Sequence, residues 1–124
     1  MDRLNAVVSS EEVATTIISV EEQLRGWLAR LGAERNPGKQ VIWYAKLAGL
    51  LGFFQSWRVE SFDAAAAAEF TGLRNQRIRI GTQDLKIASI ARTRDAILLT
   101  ANLSDFSRVP GLRIENWLVP QDSE

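Results

Sequence analysis

One stretch constrains the fold of this chain more than any other: Ile80 to Trp117, which reads IGTQDLKIASIARTRDAILLTANLSDFSRVPGLRIENW. Its first part predicts a helix. Thr82 is a suitable N-cap, and Asp84 falls in the first turn, where a negative charge suits the helix dipole. Asp84, Ala88 and Ala91 then stand at i, i+4 and i+7, a stripe of small residues on which a helix can lie close to a sheet. Ala96-Ile97-Leu98-Leu99-Thr100 is an apolar run without polar alternation, the pattern of a strand buried on both faces in a parallel sheet. Parallel sheets collect ligands at their carboxyl edge, and the residues leaving this strand there are Thr100, Asn102 and Asp105, with Phe106 as an anchor for the loop. Val109-Pro110-Gly111-Leu112 turns the chain, and Arg113 to Trp117 alternates as a final strand.

The same residues carry a family resemblance. The stretch resembles the C-terminal half of PIN-domain proteins of the VapC toxin type, whose pattern runs I-G-x-x-D-L-x-I-A, an apolar strand, T-x-N-x-x-D-F, then V-P-G-L-x-x-x-x-W. Ile80, Gly81, Asp84, Leu85, Ile87, Ala88, Thr100, Asn102, Asp105, Phe106, Val109, Pro110, Gly111, Leu112 and Trp117 fill every fixed position of it. The resemblance implies an α/β, PIN-like three-layer fold: a central parallel sheet flanked by helices.

Composition sets the limits around that reading. A chain of 124 residues, 46% of them hydrophobic, suits one globular domain, taken as residues 1–118 with a polar tail over 119–124. Lys plus Arg equals Asp plus Glu at 15 each, so no overall field marks a nonspecific nucleic-acid binder and any RNA contact is local. With neither Cys nor His, disulfides, thiol catalysis, Ser-His triads and the usual zinc sites are excluded. A bound metal must be held by oxygen, which favours Mg²⁺ or Mn²⁺. No secretory signal precedes the domain and the longest apolar helix is interrupted by Lys46 and Gln55, so the expectation is a soluble cytoplasmic protein with no membrane contact.

Taken in order, Met1 to Val8 reads as the tail of a helix, and Ser9-Ser10 as a break or cap. Thr15 to Ser19 is β-branched and predicts a strand running straight into a helix from Val20 to Leu31. In that helix Glu22, Gly26 and Ala29 repeat the stripe of small residues headed by an acid. Spacing alone leaves Glu21 and Glu22 in competition; the family pattern, an acid followed by Gly four residues later, falls on Glu22. Asn36-Pro37-Gly38 is a turn, and Gln40 to about Trp57 is a strongly apolar helix. Its Trp43, Phe53, Phe54 and Trp57 exceed what one small core needs, which points to a second chain or to an irregular core. Arg58 to Phe62 is a short strand, and Ser61 or Asp63 caps a helix from Ala64 to Arg74. The arginines of the Arg74 to Arg79 run, with Lys86, read either as a solvated face or as phosphate-steering charge beside the acids, Arg79 and Lys86 being the candidate RNA contacts.

For the site itself, the resemblance implies that Glu22, Asp84 and Asp105 act as catalytic metal ligands in an endoribonuclease, with Thr100 and Asn102 orienting carboxylate or water. It further implies RNA as substrate, a small antitoxin protein as partner, and a homodimer. Proteins of this family begin with an apolar strand that ends in an acid, within D-T-D or D-T-N, and this chain contains no such segment. The expectation is therefore a domain shortened at its start, with unpaired strand edges beside the gap. The alternative function is a catalytically silent module that binds an antitoxin or itself.

Overall fold

The computed structural model describes residues 5–9 and 12–116; the assignments made for Met1 to Leu4, Ser10, Glu11, Trp117 and the 119–124 tail lie outside them. Ten elements follow in order: β1 Ala6–Ser9, β2 Glu12–Thr16, α1 Ile17–Ala33, α2 Pro37–Gln55, β3 Arg58–Glu60, α3 Ala64–Asn75, α4 Thr82–Thr93, β4 Ile97–Leu99, α5 Leu103–Phe106 and β5 Arg113–Glu115. The strands form one sheet in the order β3-β2-β1-β4-β5. Four of them share a direction, since β2 pairs parallel with β3 and β4 with β5, while β1 lies antiparallel to both β2 and β4.

That central strand corrects two expectations. The segment read as the end of a helix is a strand, because Ala6 and Val7 are buried against both neighbours and Val7 pairs with Ala14 on one side and Leu98 on the other. The gap expected between β2 and β4 is thus closed by the chain's own first residues rather than left with unpaired edges. The sheet is consequently mixed, four parallel strands around one reversed strand.

Caps explain most helix starts. Thr16 ends β2 and caps α1, its Oγ1 accepting the Ser19 N–H at 3.2 Å, so the switch from strand to helix comes three residues before the predicted one. Asn36 caps α2 through the Gly38 N–H at 2.8 Å, and Pro37 opens that helix, where its missing N–H costs nothing. Asp63, not Ser61, caps α3. For α4 the N-cap is Gly81 without a side-chain bond, and Thr82 is already helical.

The core lies between the sheet and the α3–α4 pair: Val7, Ala14 and Leu98 meet Phe70, Leu73, Leu85, Ala88 and Ala91. Ala88 and Ala91 are fully buried, as the stripe headed by Asp84 predicts. The corresponding stripe on α1 faces solvent instead: Glu22, Gly26 and Ala29 are exposed, and a Cβ placed on Gly26 meets nothing within 4 Å. The α1–α2 hairpin is rooted rather than embedded. Its buried residues are Ile18 and Ser19 near the start of α1 and Leu50 near the end of α2.

Candidate functional site

The carboxyl edge of β4 is built by a chain of local bonds. Thr100 is fully buried, its N–H donates to the Glu115 carbonyl at 2.9 Å, and its Oγ1 accepts the Asn102 N–H at 3.0 Å. Asn102 in turn caps α5 and holds Asp105: Oδ1 accepts the Asp105 N–H at 3.4 Å and Nδ2 donates to Asp105 Oδ2 at 3.0 Å. Phe106, 1% exposed, pins the short helix to the core as expected. On its other side Asp105 faces Arg108, whose Nη1 lies 3.9 Å from Oδ1 and donates to the Arg79 carbonyl at 2.6 Å. Arg108 therefore ties the Asp105 loop to the segment that leads into Asp84, a link that its place three residues after Asp105 makes possible.

Asp84 sits half-buried in the first turn of α4. From α1 it is Glu21 that reaches this turn, its Oε1 accepting from Gln83 Nε2 at 2.9 Å, while Oε2 pairs with Arg25 one helical turn on. Glu22 is exposed. No local signal in the sequence selects Glu21, since Glu21 and Glu22 stand at i+3 and i+4 from buried Ile18 and both positions lie over its face. Of the two cations nominated for RNA, Arg79 is exposed, and Lys86 lies over the Phe62 ring with Nζ 5.9 Å from its centroid.

Three acids thus arrive at one rim from α1, α4 and α5, yet they do not close round a point. Among the described residues no three Asp or Glu side chains lie where they could hold one ion. All the donors are oxygens, the right chemistry for a hard cation, but their arrangement does not fit one. The direction of β1 is part of the reason. Ala6 pairs with Leu99, and the Asn5 carbonyl accepts from Thr15 Oγ1 at 3.3 Å, so it is the beginning of β1 that lies at this rim and the residue it presents there is Asn5, an amide. A cavity of about 290 Å³ lies toward the opposite edge, lined by Val7, Ser9, Ala14, Arg58, Glu60, Arg94 and Ala96. Its charges satisfy one another: Arg58 Nε and Arg94 Nε sit 2.9 Å and 3.1 Å from the two Glu60 oxygens.

No family model matches the chain. It is 31% identical over 114 residues to the tRNA(fMet)-specific endonuclease VapC of Salmonella typhimurium, covering 89% of this chain and 79% of that protein. It is also 39% identical over 122 residues to ribonuclease VapC2 of Rickettsia felis, covering 94% and 82%. The chain belongs to the VapC family. Solved structures agree: VapBC2 of Rickettsia felis bound to a promoter DNA fragment superposes with a TM-score of 0.63 at 28% identity, over 84% of this chain and 74% of that one. DNA-bound VapBC of Salmonella typhimurium gives 0.64 at 29% identity, over 82% and 73%. A third VapC-type complex, VapBC-1 of nontypeable Haemophilus influenzae, shares the fold at a TM-score of 0.69 and 19% identity, over 90% and 79%. The five-strand sheet flanked by helices is that of VapC PIN domains.

Proposed function

We propose that this chain works on the toxin side of a toxin–antitoxin pair, as a PIN-type endoribonuclease with RNA as its substrate and a small antitoxin protein as its partner. The observation that carries the reading is the rim itself. Asp84 and Asp105 stand at helix starts beside the carboxyl edge of β4, joined through Arg79 and Arg108, and the relatives that the chain matches over most of its length are named as nucleases. Thr100 and Asn102 fix the Asp105 carboxylate before any substrate arrives, which is the positioning expected of them.

Mg²⁺ or Mn²⁺ held by Glu22, Asp84 and Asp105 remains the expectation from the resemblance. The arrangement of those acids among the described residues does not fit one ion. The antitoxin surface we assign to α2, whose outer face exposes Val41, Tyr44 and Leu51 at 66%, 57% and 64%, an apolar strip no single domain needs in water. Pairing of two copies is the other use of such a face. A cytoplasmic location goes with both partners; no helix among the described residues is long and apolar enough to cross a membrane.

A second reading, the catalytically silent interaction module, draws on the reversed central strand and on the acids that do not converge. One experiment separates the two. Labelled RNA is incubated with the folded chain and with Asp84→Asn and Asp105→Asn variants, with Mn²⁺ and with chelator. Cleavage that either variant abolishes supports the nuclease. A folded chain that leaves RNA intact in every condition favours the silent module.

A further inference from the structure

The α1–α2 hairpin ends in a structure that neither the rim nor the apolar strip uses. Trp27 and Trp43 face each other across the two helices with ring centroids 5.8 Å apart and planes inclined by 31°. The Arg30 guanidinium lies against both rings, 5.2 Å from one centroid and 5.3 Å from the other, and Lys46 Nζ is 6.0 Å from the Trp27 ring. Arg30, Arg35, Lys39 and Lys46 are all exposed, and among the described residues none of the four is in an ion pair. The acid among them, Glu34, turns back on its own chain to accept the Asn36 N–H at 3.1 Å.

In a chain of zero net charge, four cations against one acid between residues 30 and 46 is a local positive field. Cations already stacked on indoles are held in place without a carboxylate, so they meet an incoming phosphate with little ordering left to do. The tip also stands clear of the body, because the hairpin is buried only at its root. Arg30 lies eight residues beyond Glu22, about 12 Å further along α1 at 1.5 Å per residue, within reach of a strand that also crosses the rim.

We propose that the outer end of the α1–α2 hairpin is a grip for single-stranded RNA, with phosphates on Arg30, Arg35, Lys39 and Lys46 and a base stacked on the Trp27–Trp43 pair. It deepens the reading above and rests on RNA being the substrate. Aromatic platforms beside a basic track bind single strands with little sequence preference, so the grip supplies affinity and direction while the rim supplies chemistry. A protein partner is better served by the apolar strip of α2, where Val41, Tyr44 and Leu51 stand on the side of the helix away from Lys46.

The test is fluorescence anisotropy with a mixed-sequence single-stranded RNA of about 16 nucleotides, an upper site size for one such binding fold. The full chain is compared with the Arg35→Glu/Lys39→Glu double variant and with Arg30→Gln. Arg35 and Lys39 are exposed, so the melt of the double variant is expected to coincide with that of the parent, and Arg30→Gln, which also gives up its two ring contacts, is compared at a temperature where its own melt shows it folded. We expect the double variant to bind at least about 10-fold more weakly and to lose about 1.4 from the slope of log affinity against log salt, two phosphate contacts at 0.7 each. If RNA is cleaved, KM rises and kcat stays. RNA bound equally well by parent and variants overturns the grip and leaves the RNA reading standing. A parent that cleaves RNA without measurable binding at the tip does the same. A parent that neither binds nor cleaves RNA overturns both. Variants that keep RNA but lose a second protein chain assign the tip to a protein and overturn the grip.

Discussion

Asn102 holds Asp105 at both ends of the residue, accepting its backbone N–H at 3.4 Å and donating to its Oδ2 at 3.0 Å. One amide therefore starts the short helix α5 and aims the carboxylate that the helix carries. Asn102→Ala removes the cap and both bonds. The expected loss is about 1 kcal/mol of stability, the usual cost of an N-cap, read as a lower midpoint in urea. Asn102→Asp keeps a capping oxygen but sets a second carboxylate beside Asp105, and at neutral pH it is expected to be destabilised through repulsion although the cap survives. Equal midpoints for parent and both variants would show that α5 is held by Phe106 alone.

β1 holds the centre of the sheet: Val7 is 2% exposed, paired on both sides, and belongs to the core. Its amide is expected to exchange as slowly as that of Leu98, on the timescale of global unfolding. Val7→Ala removes two buried carbons and is expected to cost about 2 kcal/mol. Fast exchange at Val7 with slow exchange at Leu98 would show that β1 leaves the sheet readily.

How much of this was legible beforehand follows from the kind of signal each residue gives. The Ile80 to Glu115 run was readable because its signals are local: an acid in a first turn, an apolar strand, a Phe that anchors the following loop, Gly111 at φ +73° in the predicted turn. β1 was not. Ala6-Val7-Val8-Ser9 is short and apolar, its periodicity does not separate strand from helix, and what decides is a pair of long-range ladders, one to β2 and one to β4. The α1 stripe failed for the opposite reason. Glu22, Gly26 and Ala29 have the spacing of a packing face, but the buried residues of α1 end at Ser19 and a Cβ placed on Gly26 meets nothing within 4 Å. The acids illustrate both cases: the bonds that orient Asp105 are local to its loop, whereas the approach of Glu21 to Gln83 spans 62 residues.

Asp63 gives a pH dependence with a definite sign. The Ala66 N–H bonded to its carboxylate, and secondly the Arg94 guanidinium 3.4 Å away, hold its pKa below the ordinary carboxylate value. A lowered folded-state pKa contributes stability that is complete above the unfolded value, near 3.9, and is lost as pH falls through the folded one. Asp63→Asn keeps a capping oxygen and discards the charge. The stability difference between parent and variant is therefore expected to be greatest near neutral pH and to shrink in the acid range. A difference that stays constant with pH would assign the effect to geometry and not to the charge.

The two faces of α2 differ enough to be separated by charge insertion. Tyr44 and Leu51, seven residues apart and so on one side of the helix, are 57% and 64% exposed, while Leu50, one residue from Leu51, is 4% exposed at the hairpin root. A glutamate at an exposed position changes monomer stability by no more than about 0.5 kcal/mol, whereas a carboxylate forced into the Leu50 pocket loses packing and gains an unpaired buried charge. Leu50→Glu is therefore expected to unfold the chain. Tyr44→Glu and Leu51→Glu are expected to melt like the parent and to lose association with a second chain, seen by sedimentation as a shift to monomer or as failure to co-migrate with an antitoxin. Loss of folding in the outer-face variants would mean that the strip is packed within the domain. Unchanged folding with unchanged association would move the partner surface off α2, because no contact that buries this strip tolerates two added carboxylates.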